Sequence, residues 1–272
     1  MNSTWLTAQG PLPLQDPLFL GIVNVTPDSF RDGGRFLEPG AALAQAAALV
    51  DQGAGVLDLG AESTRPGSAV VTPEAEWARL EPVLDRLRAH LPAVPVSLDT
   101  RHASVAARGL ALGAAILNDE SGFRDPELLG LAAAGTCGVI AMRSRMEGEA
   151  FVMPPYDQPA PDQPGAAIRE LAEVRDRLLA AGVAPDRILL DPGFGFGLPY
   201  AGDLALWRAL AGLPQALDWP VERFCIGISR KRFLTRWGGQ PELPAARRDG
   251  LTAAAHREAI ALGYRVFRTH RI

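Results

Sequence analysis

Short apolar runs recur along the chain, and most of them follow an Ala- and Leu-rich stretch that ends at a glycine. The runs are nearly continuous rather than alternating, which is typical of parallel strands covered on both faces. Gly53, Gly113 and Gly182 are predicted to end helices, because glycine adopts the left-handed conformation without steric cost. Eight strands are predicted in this way, at residues 18–25, 55–59, 95–99, 115–118, 137–142, 187–191, 223–228 and 264–268.

The alternation of strands with helices predicts an α/β fold. A count of eight strands favours a closed (β/α)₈ TIM barrel over an open doubly wound sheet, and 272 residues is close to the roughly 250 that such a barrel needs. We therefore predict one barrel domain over residues 1–272, with residues 1–17 as an N-terminal extension. The longest irregular stretch, residues 143–164, is predicted to be a loop after the fifth strand.

Composition and charge narrow the classes of function. The net charge of −4 and the lack of a Lys- or Arg-rich block argue against a nucleic-acid partner. The sequence has neither an apolar stretch of about 18 residues nor a signal peptide, so we expect no membrane association and predict a cytoplasmic protein. Cys137 and Cys225 lie inside predicted strands and are expected to be buried thiols rather than a disulfide.

Polar residues stand at the carboxyl ends of the predicted strands. In a barrel these ends meet at one mouth, where the active site lies. An Asp or Asn after a strand often only caps the next helix, and Asp99 is the best candidate for such a cap. Caps alone do not account for so many polar residues on one face. The strand-end residues are Asn24, Asp58, Asp99, Asn118, Arg143, Asp191, Ser229, Lys231, Arg268 and His270.

These residues indicate a ligand with a donor-rich ring at one end and an anion at the other. The acceptors suit the amino-pyrimidinone edge of a fused heterocycle; they are Asp58, Asp99, Asn118 and Asp191. Arg65, Arg268 and His270 suit a phosphate or a carboxylate. Asn24 offers an oxygen to a Mg²⁺ that substrate phosphates mainly hold. Lys231, the only lysine, can serve ring and phosphate alike.

The chain resembles the dihydropteroate synthase family along almost its whole length. Three of the shared motifs, NVTPDSF, ESTRPG and SRK, are together highly specific. The matching segments follow the family's order and spacing, and they are GIVNVTPDSFRDGG (21–34), DLGAESTRPG (58–67), VSLDT (96–100), LNDESGFRDPE (117–127), LLDPGFGFG (189–197), GISRKRF (227–233) and RTH (268–270).

The resemblance implies a transferase of folate biosynthesis that is a target of sulfonamides. Such an enzyme joins (7,8-dihydropterin-6-yl)methyl diphosphate to 4-aminobenzoate, releases diphosphate and forms 7,8-dihydropteroate. The resemblance implies Mg²⁺ as the cofactor and small molecules as the partners. It leaves a homodimer open as an alternative to a single chain.

The resemblance also assigns residue roles by position. The implied pterin-binding residues are Asp99, Asn118, Asp191 and Lys231. The implied diphosphate-binding residues are Asn24, Thr64, Arg65, Arg268 and His270, with Asn24 as the Mg²⁺ ligand. The implied surroundings of the aminobenzoate are Pro66, Phe194, Ser229 and the loop at 26–35. The implied catalytic residues stabilise the departing diphosphate and face the cation on the pterin methylene; they are Asp58, Asp99, Lys231, Arg268 and His270.

The chain departs from the family's pattern at several positions. Arg143 stands where histidine is usual, Leu198 where lysine is usual, and Arg232 where a serine near the aminobenzoate carboxylate is usual. Residues 271–272 follow the last motif where the family continues into an eighth helix, so we expect a barrel that lacks this helix. That side of the barrel would then be uncovered, or else the N-terminal segment 1–17 or another subunit would cover it.

Two alternatives to this activity are open. A pterin-dependent methyltransferase shares the barrel and the acceptor pocket, but it binds a finished folate and needs no diphosphate residues such as Arg65 and Arg268. A catalytically silent pterin-binding barrel is consistent with Arg143 and with the shortened C-terminus. Formation of dihydropteroate distinguishes both alternatives from the implied activity.

Overall fold

A computed structural model of the protein describes residues 3–26, 39–62, 70–148, 150–152, 154–159, 164–240 and 242–272. Three of the predicted site residues, Thr64, Arg65 and Pro66, lie outside the described residues. Of the predicted aminobenzoate loop at 26–35, only Thr26 is described.

Strands and helices alternate along the described chain. The strands are β1 (Thr4–Thr7), β2 (Gly10–Pro13), β3 (Leu18–Asn24), β4 (Ala54–Gly60), β5 (Val96–Asp99), β6 (Ile116–Asp119), β7 (Gly138–Met142), β8 (Met146–Glu147), β9 (Ala150–Phe151), β10 (Ile188–Asp191), β11 (Cys225–Ile226) and β12 (Val266–Thr269). The helices are α1 (Pro39–Asp51), α2 (Pro73–His90), α3 (Ala103–Ala111), α4 (Pro126–Ala134), α5 (Gly165–Ala180), α6 (Tyr200–Arg208), α7 (Leu213–Leu217), α8 (Phe233–Trp237) and α9 (Asp249–Ala261).

Eight parallel strands form the central sheet, in the order β10, β7, β6, β5, β4, β3, β12 and β11. A bridge between Leu190 of β10 and Phe224, the residue before β11, closes the sheet into a ring. At least one helix lies between each barrel strand and the next. The predicted (β/α)₈ barrel and its eight strands are thus confirmed. The predicted strand at 223–228 is shorter than expected, because it pairs with β12 only at Cys225 and Ile226.

Local chemistry explains where the helices begin and end. Gly53, Gly113 and Gly182 have φ angles of +106°, +89° and +90°, and they follow α1, α3 and α5 as predicted. At the start of α4, the carboxylate of Asp125 caps the helix by accepting the backbone N–H groups of Glu127 and Leu128. The barrel strands between these helices are buried on both faces, as the five buried residues of β7 illustrate.

The N-terminal hairpin of β1 and β2 closes the bottom of the barrel, at the amino ends of the strands. Trp5 is fully buried, and its Nε1 donates to the carbonyl of Arg187, directly before β10, at 2.8 Å. The backbone N–H of Ala8 donates to the carbonyl of Ala115, directly before β6. Of the alternatives for the side of the barrel, the one in which residues 1–17 cover it does not hold, because the hairpin lies at the bottom. Trp5 instead packs in a buried cluster with Leu14, Leu20, Val56, Ala115, Ile116, Ile140, Leu189, Cys225 and Val266.

The outer side of the barrel beside α9 carries an open groove of about 420 Å³. Its walls include Phe19, His256, Ile260 and Ile272. Residues 270–272 follow β12 at the end of the described chain, and Ile272 reaches this groove. None of the helices described is both long and apolar enough to cross a membrane.

Candidate active site

The carboxyl ends of the barrel strands bring the predicted polar side chains to one mouth. The strands β4, β5 and β6 are neighbours in the ring, and their register pairs Gly60 with Asp99 and Asp99 with Asn118. Asp191 ends β10, and Arg268 lies in β12. Residues from distant parts of the sequence therefore surround one space, as the barrel architecture predicts.

Arg268 lies at the centre of this cluster. Its Nε donates to Oδ2 of Asp58 at 2.5 Å, its Nη2 donates to Asp99, and its Nη1 lies 3.4 Å from Oε1 of Glu120. Burial by itself would lower the pKa of Arg268, but the charges of these three carboxylates raise it well above its usual value. Arg268 is therefore a permanent cation that acids surround.

Asp58 holds its neighbours in place and is itself fully buried. One of its oxygens accepts the hydroxyl proton of Ser97 at 2.6 Å. The amide nitrogen of Asn118 lies 3.3 and 3.4 Å from its two oxygens, which leaves the amide oxygen of Asn118 as an acceptor. Asp58 was predicted to face the cation of the substrate, and the structure directs its carboxylate at Asn118 and Arg268.

Asp99 belongs to the mouth and not to a helix cap. The helix α3 begins at Ala103 after His102, and it is Thr100 whose hydroxyl accepts the backbone N–H of His102. Burial raises the pKa of Asp99 well above its usual value, although the charge of Arg268 lowers it. The cap interpretation of Asp99 is therefore wrong.

Asp191 contributes to the wall of the mouth at the end of β10. Its Oδ1 accepts the backbone N–H of Gly193 at 2.8 Å. A Cβ atom at Gly227 would come within 2.8 Å of its Oδ2, so the glycine makes room for this carboxylate. Burial raises the pKa of Asp191 to about 6, although the Gly193 N–H and the charge of Lys231 lower it.

Lys231 reaches the mouth from a tight turn. Its backbone N–H donates to the carbonyl of Ile228 at 3.0 Å, and Arg230 inside the turn has a φ of +59°. The guanidinium of Arg230 holds this conformation by donating to both oxygens of Asp249. The ammonium of Lys231 lies 4.0 Å from the centre of the Phe196 ring, a cation–π contact. Burial lowers the pKa of Lys231.

Ser229 and His270 are paired at the ends of β11 and β12. The Oγ of Ser229 lies 2.9 Å from Nδ1 of His270 and accepts the backbone N–H of His270 at 3.1 Å. Burial lowers the pKa of His270 to about 3, and the nearby charges of Arg230, Arg268 and Lys231 lower it further. His270 is therefore a neutral imidazole at pH 7, and it can offer an anion a hydrogen bond but no charge.

The structure does not bring Phe194 to the mouth, where it was predicted to contact the aminobenzoate. Its ring is fully buried, stacks on Phe233 with the ring centres 5.5 Å apart, and meets Trp207 edge-on at 5.8 Å. Phe196, two residues further along, supplies the ring beside Lys231 instead.

Asn24 is the described residue on which the Mg²⁺ prediction depends. It ends β3 opposite Gly60, and it is partly buried. Within the described ranges no group of three or more His, Cys, Asp or Glu side chains is arranged to hold a metal ion. One amide oxygen fits a Mg²⁺ that brings most of its ligands with it as phosphates and waters.

Glu120 and Asp203 are mouth residues that the sequence patterns did not single out. Glu120 lies two positions after Asn118, and the alternation of side chains along a strand could have indicated that both point the same way. Asp203 lies in α6 and accepts the backbone N–H of Gly195 at 2.9 Å, and burial raises its pKa to about 7. Asp203 could not be predicted from the ends of the strands, because it lies on a helix and contacts the site only through the loop that contains Gly195.

The three departures from the family pattern occupy different environments. The guanidinium of Arg232 lies 4.0 Å from the centre of the Tyr156 ring and pairs with Glu242 at 3.3 Å. Leu198 is buried in the core. Arg143 is almost fully buried behind the wall that carries Asp191.

Comparison with known proteins assigns this barrel and its mouth to a class of enzymes that handle pterins. The family model described as pterin binding enzyme matches residues 20–270. Dihydropteroate synthase from Neisseria meningitidis serogroup B (strain ATCC BAA-335 / MC58) is 38% identical over 271 residues, which are 98% of this chain and 92% of that protein.

Solved structures lead to the same result. The Xanthomonas albilineans dihydropteroate synthase with 4-aminobenzoic acid matches with a TM-score of 0.85 and 36% identity, over 99% of this chain and 93% of that one. The Yersinia pestis dihydropteroate synthase in a sulfonamide drug complex also gives 0.85, with 32% identity over 98% and 93% of the two chains. The chain therefore belongs to the pterin binding enzymes and, among them, to the dihydropteroate synthase family.

Proposed function

We propose that this protein joins (7,8-dihydropterin-6-yl)methyl diphosphate to 4-aminobenzoate and so forms 7,8-dihydropteroate. The observation that carries the proposal is a buried mouth with hydrogen-bond acceptors at Asn118 on β6 and at Asp191 on β10, and with the permanent cation Arg268 in the same cluster. Membership of the dihydropteroate synthase family supports the same reaction.

The pterin ring would bind in the mouth against these acceptors, on the side formed by β6, β7 and β10. A carboxylate accepts two adjacent N–H groups in the way that it accepts an arginine fork, so Asp191 suits the aminopyrimidine edge. The free amide oxygen of Asn118 offers a further acceptor. Lys231 would donate to the acceptors of the ring, and Asp99 would complete the pocket from the β5 side.

Arg268 and His270 would hold the diphosphate. A guanidinium has more N–H groups than the three that Arg268 directs at carboxylates, so donors remain for phosphate oxygens. When Ser229 donates its hydroxyl proton to Nδ1 of His270, the imidazole proton lies on Nε2 and is available to the phosphate. Asn24 would be the protein ligand of a Mg²⁺ ion, which supplies neutralising charge to the diphosphate when it is bound.

The mouth favours a dissociative substitution. The bond between the pterin methylene carbon and the diphosphate oxygen breaks, and its electron pair leaves with the diphosphate. The amine nitrogen of 4-aminobenzoate then forms the new C–N bond and loses a proton. Arg268 stabilises the leaving anion, while Asp99, which Arg268 holds in place, offers carboxyl oxygens near the cation that forms on the pterin.

The aminobenzoate would lie near the turn that carries Ser229 and Lys231. Arg232 follows on the same turn, and its side chain is 53% exposed, so its guanidinium is accessible to the aminobenzoate carboxylate. Phe196, whose ring lies beside Lys231, would form the aromatic wall that was predicted for Phe194. Sulfonamides resemble 4-aminobenzoate and would compete for this position.

Product analysis of the purified protein tests the proposed function. We expect dihydropteroate to form from the two substrates with Mg²⁺, formation to fall when the metal is chelated, and a sulfonamide to inhibit competitively against 4-aminobenzoate. Pterin binding without any product would contradict the proposal and support a silent barrel. Methyl transfer from a methylated folate in place of condensation would support the methyltransferase alternative.

A further inference from the structure

We propose that Arg143 is a positioning residue for the pterin pocket, because its guanidinium fixes the loop at 192–196 that follows Asp191 and carries Phe196. The inference rests on the proposed function in so far as it takes the ligand of this wall to be a pterin. Arg143 lies outside all the segments that carry the resemblance to the family.

The hydrogen bonds of Arg143 are directed almost entirely at this loop. Its Nε donates to the carbonyl of Pro192 at 2.9 Å, and its Nη2 donates to the carbonyls of Gly193 at 3.0 Å and Phe196 at 2.5 Å. Its backbone N–H donates to the carbonyl of Asp191 at 3.0 Å. An imidazole has at most two N–H groups, so histidine could not bind the same three loop carbonyls.

The loop is also in direct backbone contact with Arg143. Gly193 has a φ of +71°, and a Cβ atom there would lie 2.0 Å from the carbonyl oxygen of Arg143. Only glycine permits this approach, because any side chain would push the loop away from β7. The guanidinium and the glycine therefore hold the loop from the same side.

Glu170 on α5 anchors the guanidinium from behind. Its Oε2 accepts Nη1 of Arg143 at 2.9 Å, and its Oε1 accepts Nε of Arg145 at 2.7 Å. The Arg143 side chain is only 1% exposed, so this pairing avoids the cost of an isolated buried charge. A long helix of the barrel wall thus fixes the loop through one arginine.

The loop transmits this placement to the groups that face the ligand. The Phe196 carbonyl is held by Arg143, and the Phe196 ring lies against the ammonium of Lys231. At the other end of the loop, the Gly193 N–H donates to the carboxylate of Asp191. A shift of the loop would therefore move both Asp191 and Lys231 relative to the pterin, but not Arg268 on β12.

The test is a pair of binding measurements on Arg143→Lys, which keeps the positive charge but loses the planar fork. Calorimetry would give the Kd of 6-hydroxymethyl-7,8-dihydropterin, which carries no phosphate, and of inorganic pyrophosphate with Mg²⁺. The matched control is Arg187→Lys. Arg187 is also a buried arginine that donates to backbone carbonyls, those of Cys137 and Ala132, but it lies at the bottom of the barrel.

We expect Arg143→Lys to weaken pterin binding about ten-fold, or roughly 1.4 kcal/mol, with pyrophosphate binding unchanged. Arg187→Lys should lower the melting temperature without changing either Kd. Equal pterin affinity in the wild type and in Arg143→Lys would overturn the inference, and so would equal losses for both ligands, which would indicate a general loss of structure.

If Arg143→Lys does not fold, Glu170→Gln provides the same comparison, because Glu170 is partly exposed and its loss leaves the arginine in place. A smaller rise in the pterin Kd is then expected, and an unchanged Kd would overturn the inference. A wild type that binds pterin but forms no dihydropteroate contradicts the proposed function alone. A wild type that binds no pterin overturns both.

Discussion

Asp191 lies between Gly227, where the absence of a side chain makes room for it, and the loop whose N–H group it accepts. Its position after a buried strand made it a predicted site residue, and the same is true of Asp99 and Asn118. The sequence could not predict how completely Asp191 is buried, because its burial depends on closure of the strands into a ring. This burial raises the pKa of Asp191 to about 6.

The raised pKa of Asp191 makes pterin affinity depend on pH. Below about 6 the carboxyl is protonated and loses its paired acceptor sites. Well below 6, affinity should therefore fall by about ten-fold per pH unit, while well above 6 the contribution of Asp191 to the affinity should be constant. The measurement is the Kd of a phosphate-free pterin between pH 5 and pH 8.

Asp191→Asn provides the control for this titration. At high pH it should bind the pterin about one to a few kcal/mol more weakly, the scale of a charge-assisted hydrogen bond, and it should show no step near pH 6. Asp119 also has a pKa of about 6 through burial, so a step that persists in Asp191→Asn would assign the titration to another group.

Among the secondary-structure elements, the hairpin of β1 and β2 was not predicted. The strands β3 to β7 agree with their predicted ranges within about two residues. Residues 4–13 were interpreted only as an extension, because two strands of four residues have a weak alternation signal. Only the three-dimensional barrel shows that Trp5 has an empty space to fill at the bottom of the ring. The tightness of this fit is visible at Gly138, where a Cβ atom would lie 3.0 Å from the Trp5 ring.

Trp5→Ala should lower the free energy of unfolding by about 3–5 kcal/mol, because it leaves a cavity in the core. Trp5→Phe keeps most of the ring but loses the bond to the Arg187 carbonyl, and it should cost about 1 kcal/mol more than the lost volume alone. Chemical denaturation gives both values. Since the active site is at the opposite end, kcat of the folded protein should not change, and a lower kcat at full stability would show that the hairpin has a different role.

At the scale of the whole molecule, the predictable features are those that repeat around the ring. The number of strands, their ends and the common mouth follow from a sequence pattern that recurs in each β/α unit. This pattern predicts one rim for Asn24, Asp58, Asn118 and Arg268. Features that occur once were not predictable in the same way. Asp203 approaches through α6, and Phe196 replaces Phe194 because the loop after β10 turns one ring inward and the next toward the mouth.

The reactivity of the two buried cysteines provides a measure of the opening of the whole barrel. Cys137 and Cys225 are 1% and 0% exposed, as their place in the predicted strands indicated, and burial raises the pKa of both thiols. We expect neither thiol to react with a disulfide reagent at pH 8 until the barrel unfolds. Pyrophosphate with Mg²⁺ should slow labelling further, because a ligand of the folded state reduces the population of open states. Labelling of one thiol at a rate that denaturant does not change would instead reveal local opening.

The contact between Arg268 and Asp58 joins residues that are 210 positions apart, and the contact between Arg268 and Asp99 joins residues that are 169 positions apart. During synthesis, the acidic residues of the mouth are therefore translated long before Arg268, with which they pair. Until β12 enters the ring, Asp58, Asp99 and Glu120 lack the guanidinium that pairs with all three, and their repulsion disfavours burial of an unfinished mouth. The last strand thus brings ring closure, charge balance and the diphosphate site together, so a nascent barrel acquires its chemistry only when its final strand is in place.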